Sequence, residues 1–159
     1  MRFLVKPMDF PNAFMYGAGH GGVEAMLLCG VASISNIASA VMINSGTMSA
    51  QLATLDAEKA ADTAAALSAL WTTPSLTFFA GGVERIIAVV LHLSLSILVF
   101  QSIRKKSQKD LLNAYLFHFV IDSLSVLLSA VASVWVVELV TALVTGGAVL
   151  MARYACMEE

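Results

Sequence analysis

Charge is scarce in this chain of 159 residues: Asp, Glu, Lys and Arg make up 13% of it, against a hydrophobic share of 58%. With a mean hydropathy of +0.82, that leaves too little polar surface to cover a water-soluble fold of this size, so an ordinary soluble domain is excluded and a membrane protein is indicated. The basic residues form no stripe or arm that could follow a nucleic-acid backbone, and the net charge is -2. Nucleic acid is therefore excluded as the expected partner. Cysteine is almost missing as well. Cys29 and Cys156 lie in or beside apolar segments without CxxC spacing, which removes both a disulfide framework and a thiolate metal site. The opening MRFLVKPMDFP lacks the apolar run and small-residue cleavage pattern of a signal peptide, so nothing marks the start for removal.

What the sequence has instead is long uncharged runs. A spanning helix needs about 20 mostly apolar residues, and each charge at mid-membrane costs a few kcal/mol on insertion scales. That tally predicts an all-α, polytopic helix bundle with four transmembrane spans at residues 16–43, 76–103, 111–130 and 133–152. A tight helical hairpin is expected between the last two. The stretch 44–75 reads differently, as an extramembrane or membrane-surface connection. NSGTMSAQ is turn-like, and LDAEKAADTAAALSALW is a run of helix formers that opens on charges and stops at TTP, predicting one short amphipathic or re-entrant helix. The whole of 1–159 is expected to form a single membrane domain or the C-terminal part of a larger one. Arg104, Lys105, Lys106 and Lys109 crowd the short connection between the second and third spans, which predicts that this loop is cytoplasmic. Both termini, with Arg2, Lys6 and Arg153, then fall on the same side, as in a multi-pass protein of the cell membrane.

Against this apolar background six ionisable residues stand out: His20, Glu24, Glu84, His92, His118 and Asp122. Ionisable groups inside a membrane are costly, and by default they mark a cavity, a pathway or a site. His20 and Glu24 are four residues apart, as are His118 and Asp122, so each pair shares one helix face and can converge on a common point. His92 and Ser96 repeat the interval on a third helix, and Arg85 lies seven residues before His92 on much the same face. At about 1.5 Å of rise per residue, His20, Glu24, His92, His118 and Asp122 all come to rest roughly 6 to 16 Å from the inner ends of their spans. Glu84 falls about 12 Å further out than His92 on a regular helix, and reaches the same ligand only through a kink at Gly81 and Gly82. Three histidines with nearby carboxylates suit a zinc-type centre. The same groups suit metal-free hydrolysis in which Glu24 activates water and His92 and His118 support an oxyanion. Spacing does not choose between them. Gly17, Gly19, Gly21 and Gly22 fit a close helix crossing or unwound backbone beside a cavity, and Glu138, alone in the fourth span, fits an interhelical hydrogen bond as well as it fits catalysis.

The segments YGAGHGGVEA, GGVERIIAVVLHLSLSILVF and LLNAYLFHFVIDSL together resemble the YhfC family of intramembrane metalloproteases, which is related to the CAAX prenyl endopeptidases and the bacteriocin-processing proteins. The resemblance runs from about residue 16 to residue 151. It implies a helical membrane protease whose polar site is reached from the cytoplasmic side. By analogy with the prenyl endopeptidases, Glu24 would activate water while His92 and His118 assist the oxyanion. The first motif here is GHGGVE, where those relatives carry a double glutamate followed by an arginine. That departure favours metal ligation by His20 together with His92 and His118, and with Glu24 and Asp122 as further candidate ligands. Glu84, Arg85, Asp122 and Ser96 would then support the site. Family members commonly carry additional N-terminal spans.

The expected function is therefore an intramembrane peptidase that hydrolyses a peptide bond in a membrane-embedded or lipid-modified substrate, with zinc or with no metal. The expected partners are membrane lipids, that substrate and a second copy of the chain, since four spans make a small bundle. A metal or proton transporter and a non-catalytic scaffold are the alternatives from other classes.

Overall fold

The computed structural model describes residues 9–157, and Arg2 and Lys6 lie outside that range. Among the described residues every regular element is helical: α1 (Phe10–Ala25), a π-helical turn (Met26–Gly30), α2 (Val31–Asn44), α3 (Thr47–Leu52), α4 (Ala57–Thr72), α5 (Ser75–Lys105), α6 (Gln108–Ser129) and α7 (Val134–Met157). Four stretches are long and apolar enough to cross a membrane, namely Phe10–Asn44, Ser75–Lys105, Gln108–Ser129 and Val134–Met157. The chain is thus an all-α polytopic membrane protein, with each expected span lengthened by a few residues.

The chain divides into two compact units. Of the described residues, one contains 9–25 and 80–157 and the other 26–79. In the first unit α5 is the central helix, and half of its most apolar window is buried, against 11% for α6 and 22% for α7. Leu91, Leu95 and Leu98 of α5 pack with Ala114 and Ile121 of α6 and with Ala148, Ala152 and Ala155 of α7. The buried residues of α7 are Glu138, Thr141, Thr145, Ala148, Ala152 and Ala155, a stripe of small side chains repeating every three or four positions. In lipid, where burial of apolar surface gives little drive for helices to associate, such a stripe lets backbones approach and gain packing contacts.

Turn chemistry fixes the order of these helices. Lys106 takes a left-handed backbone conformation, with φ 53°, and the Ser107 amide donates back to the Ser102 carbonyl over 2.9 Å. This is the six-to-one bond of a Schellman ending. The Ser107 hydroxyl then caps α6 by accepting from the Asp110 amide, so α5 stops and α6 starts within two residues. Between α6 and α7 the amides of Val131 and Ala132 both return to the Leu128 carbonyl, closing the expected hairpin. Lys105 Nζ donates to the Ala155 carbonyl over 2.5 Å, which brings the C-terminal end of α7 beside the α5–α6 turn.

In the second unit α4 is the helix expected from its composition. Asp56 caps it, accepting from the Lys59 amide over 2.9 Å and pairing with Lys59 Nζ at 2.7 Å. The short α3 was not anticipated. NSGTMSAQ does turn, at Gly46 with φ 75°, but then closes a single helical stretch in which the Ser49 hydroxyl bonds the Gly46 carbonyl.

Candidate metal centre

The site is built around a close crossing of α1 over α5, and glycine makes the crossing possible. A Cβ on Gly17 would sit 2.8 Å from the His92 carbonyl oxygen and 2.8 Å from Leu93 Cα. One on Gly21 would meet Val89 Cα at 3.0 Å and His92 Cβ at 3.1 Å. Gly19 and Gly22, on the opposite side of α1, face open space. The glycine-rich motif therefore resolves into a packing pair four residues apart and two positions without neighbours. The backbone from Phe10 to Ala25 stays helical, so the unwound-peptide reading does not apply to this segment.

That crossing carries His20 and Glu24 onto His92. The carboxylate oxygen Oε2 of Glu24 lies 2.8 Å from His92 Nε2, and the rings of His20 and His92 stack at 4.6 Å. One ligand atom from each of His20, Glu24 and His92 lies within 4.8 Å of the other two. His92 is buried at 5% exposure, Glu24 is half-buried and His20 is exposed. Two imidazoles and a carboxylate in such proximity are the donor set of a three-ligand catalytic zinc site, which keeps a further position open. The residues thus fit a divalent metal of that type.

His118 and Asp122 form the other side. Asp122 Oδ2 is 2.8 Å from His118 Nδ1, and the His118 ring meets that of His92 edge to face at 5.3 Å. The carboxylate occupies Nδ1 and leaves Nε2 as the second ring nitrogen. His20, His92, His118 and Asp122 line one cleft of about 510 Å³, shared with Ser96 and with the apolar wall of Leu95, Val99, Leu111 and Phe119. Tyr16 and Tyr115 flank it, and the Tyr16 ring stands edge-on to His20 at 6.2 Å.

Arg85 reaches the centre from one side. Its Nη1 is 3.9 Å from Glu24 Oε1, while its Nη2 bonds Glu84. No kink is needed, because α5 is continuous through Gly81 and Gly82. Glu84 touches Arg85 and not the histidines, as its register predicted. Every expected site residue is thus in this one unit, with His20, Glu24 and His92 drawn into a single cluster, His118 and Asp122 paired beside it, Ser96 in the cleft wall, and Glu84 one residue removed behind Arg85.

The wall of the cleft was missed from sequence, although the signal was there. Leu111, Ala114, Tyr115, His118 and Asp122 recur at helical spacing on α6, and Leu95 and Val99 extend the His92 face of α5. Also missed was the placement of Glu138, which lies on the buried stripe of α7 with its Oε2 lacking a hydrogen-bond partner among the described residues.

A sequence model of the YhfC intramembrane metalloprotease family matches residues 1–141. The chain is also similar to a protein of Bacillus subtilis (strain 168) named "Uncharacterized membrane protein YhfC", at 38% identity over 119 residues, which is 74% of this chain and 45% of that protein. The chain spans less than half the length of that relative. No solved structure matches.

Proposed function

Because the chain belongs to the YhfC intramembrane metalloprotease family, we propose that it hydrolyses a peptide bond of a membrane-embedded substrate in the cleft between α1, α5 and α6. The observation that carries this reading is the convergence of His20, Glu24 and His92 ligand atoms within 4.8 Å, with His20 and His92 opening onto a largely apolar cleft. These three side chains would hold a divalent metal, with zinc the best match to the donor set. Such a metal supplies Lewis acidity, polarising a peptide carbonyl and lowering the pKa of a water molecule to near neutrality.

The chain's own groups do the rest. His118, oriented through Nδ1 by Asp122, takes a proton from the attacking water at Nε2 and passes it to the departing amine, a contribution of about 10²- to 10⁴-fold for a well-placed acid-base group. Leu95, Val99, Leu111 and Phe119 take up an apolar side chain next to the scissile bond and keep bulk water out. Arg85 neutralises part of the charge on Glu24. A metal-free variant, with Glu24 itself taking the proton from water, is favoured by one observation, the 2.8 Å contact that already orients Glu24 against His92. Convergence on one cleft, rather than a trail of polar groups across the spans, supports hydrolysis over transport. The basic α5–α6 turn and the Lys105 bond to Ala155 support a cell-membrane topology with that turn and the C-terminal end of α7 both on the cytoplasmic side.

The test is cleavage in lipid vesicles, using single-span peptides with apolar residues near the membrane face. Cleavage that is lost in Glu24→Gln and abolished by a chelator supports the metal-dependent reading. Cleavage that is lost in Glu24→Gln but indifferent to chelation supports the metal-free variant. Cleavage that survives Glu24→Gln contradicts both.

A further inference from the structure

Arg85 keeps one donor unspent. Its Nη2 bonds Glu84, the residue before it on α5, while its Nη1 is buried and has no hydrogen-bond partner among the described residues. Buried donors are ordinarily satisfied, and a charged one left over costs more than a neutral one. The acceptor within a small movement of Nη1 is Glu24 Oε1, at 3.9 Å, close enough for an ion pair but beyond a hydrogen bond. The two oxygens of Glu24 are thus addressed from two positions of α5: Oε2 by His92 Nε2 at 2.8 Å, and Oε1 by the guanidinium. The first of these contacts cannot outlast ligation at the same nitrogen. An ionised carboxylate only accepts, so His92 Nε2 must carry the hydrogen of that bond, whereas a ligating nitrogen carries none. Ligation through Nε2 therefore strips Glu24 of the bond that orients it, just when Oε2 is needed as a ligand. Ligating carboxylates are themselves held by outer hydrogen bonds, and the unspent donor beside Glu24 is Arg85 Nη1.

We propose that Arg85 is a positioning residue for the metal-bound state: when His92 gives up its hydrogen bond to Glu24, Glu24 Oε1 accepts from Arg85 Nη1, and this bond keeps Oε2 turned inward as the ligand oxygen. The idea rests on the reading of His20, Glu24 and His92 as the ligands. Glu84 makes the arrangement stiff. With Nη2 tied down, the guanidinium stays where it is, and the closing movement of about 1 Å falls to the terminal torsion of Glu24, which is soft. Glu84 also offsets part of the positive charge that would otherwise repel a metal ion, so Arg85 offers the site a hydrogen-bond donor and not a bare cation.

Zinc affinity, measured by competition with a chelating dye on the full chain in lipid nanodiscs, separates this role from two simpler ones. Arg85→Gln is expected to weaken zinc binding about 10- to 100-fold, the range for outer partners of a ligand. In a Glu24→Ala background the same substitution is expected to weaken it no further, because Arg85 then has nothing to position. Tighter binding in Arg85→Gln would make the guanidinium a repelling charge only, and equal weakening in both backgrounds would make it a support of the fold only. Either result overturns the proposal, as does an unchanged affinity. Should Arg85→Gln not fold, Arg85→Lys takes its place, since an ammonium cannot span Glu84 and Glu24 as the guanidinium fork does. It must then weaken binding in the unaltered background and not in Glu24→Ala, and any other pattern overturns the proposal equally. A folded, unaltered chain that binds no zinc contradicts the proposed metal centre, and the positioning role falls with it. Zinc binding that does not depend on Arg85 leaves the proposed function standing and overturns the positioning role alone.

Discussion

Two His–carboxylate pairs with the same four-residue spacing meet different fates in this protein. On α6, His118 and Asp122 bond each other at 2.8 Å, as their spacing allows on an isolated helix. On α1, Glu24 instead bonds His92 of α5 at the same 2.8 Å, while His20 stacks on that ring at 4.6 Å. The difference lies in the neighbouring helix. Gly17 and Gly21 bring the α1 backbone against α5 at His92, whereas the α6 pair keeps more open surroundings, with side chains 42% and 65% exposed. Spacing decides which residues share a face. Packing decides whether that face becomes a cluster of ligands or a self-contained pair.

The contrast is broken most severely at the glycines. Gly21→Leu adds a branched side chain where even a Cβ lies 3.0 Å from Val89 Cα, so α1 must move away from His92. Overpacking of this kind costs about 1–3 kcal/mol, and we expect metal binding to be abolished, while Gly22→Leu, into open space, binds as the unaltered chain does. Isothermal titration with zinc checks both.

Next comes the carboxylate comparison. Glu24→Ala removes a proposed ligand and should weaken metal affinity by more than the roughly 10- to 100-fold typical of outer partners. Asp122→Ala, which only frees His118, should leave affinity within about tenfold of the starting value. Equal losses in the two variants would erase the distinction drawn between the pairs.

The functional counterpart is milder on binding and specific to turnover. His118→Ala should retain the metal and lower cleavage by about 10²-fold or more, the range for removal of a general acid, with Asp122→Asn falling between it and the unaltered protein. A vesicle cleavage assay run beside metal analysis separates the two effects.

The smallest effect is expected in the other unit, where Asp56 caps α4. Its bonds to the Lys59 side chain and amide hold its pKa below the ordinary 3.8. The sign follows from that depression: the cap contributes above the ordinary value and is lost as pH falls through the lowered one. Asp56→Ala should speed hydrogen exchange at the first turn of α4 without altering metal binding, since residues 26–79 form a separate unit from the cluster.

Much of this arrangement was legible in the sequence because membranes tax charge. The four spans, the α4 helix and all six ionisable residues stand out against uncharged runs, and the four-residue intervals put His20 with Glu24 and His118 with Asp122 on shared faces. What spacing could not supply was the partner across the interface. His92 could have joined either pair. The choice depends on which glycines of YGAGHGGVEA touch α5, and four glycines at nearly equal intervals do not show this until the crossing is known. Glu138 was harder still. Its neighbours in the chain are apolar, and its burial follows only from the stripe of threonines and alanines that α7 turns inward.

The central claim is that His20, Glu24 and His92 form the metal centre and that His118 stands outside it. The most direct measurement is the zinc content of the folded, detergent-purified chain after zinc loading and desalting, in unaltered protein, His20→Ala and His118→Ala. The account predicts about one tightly held zinc per chain, lost in His20→Ala and kept in His118→Ala. Zinc kept in His20→Ala and lost in His118→Ala, or no zinc in the folded unaltered chain, would contradict it.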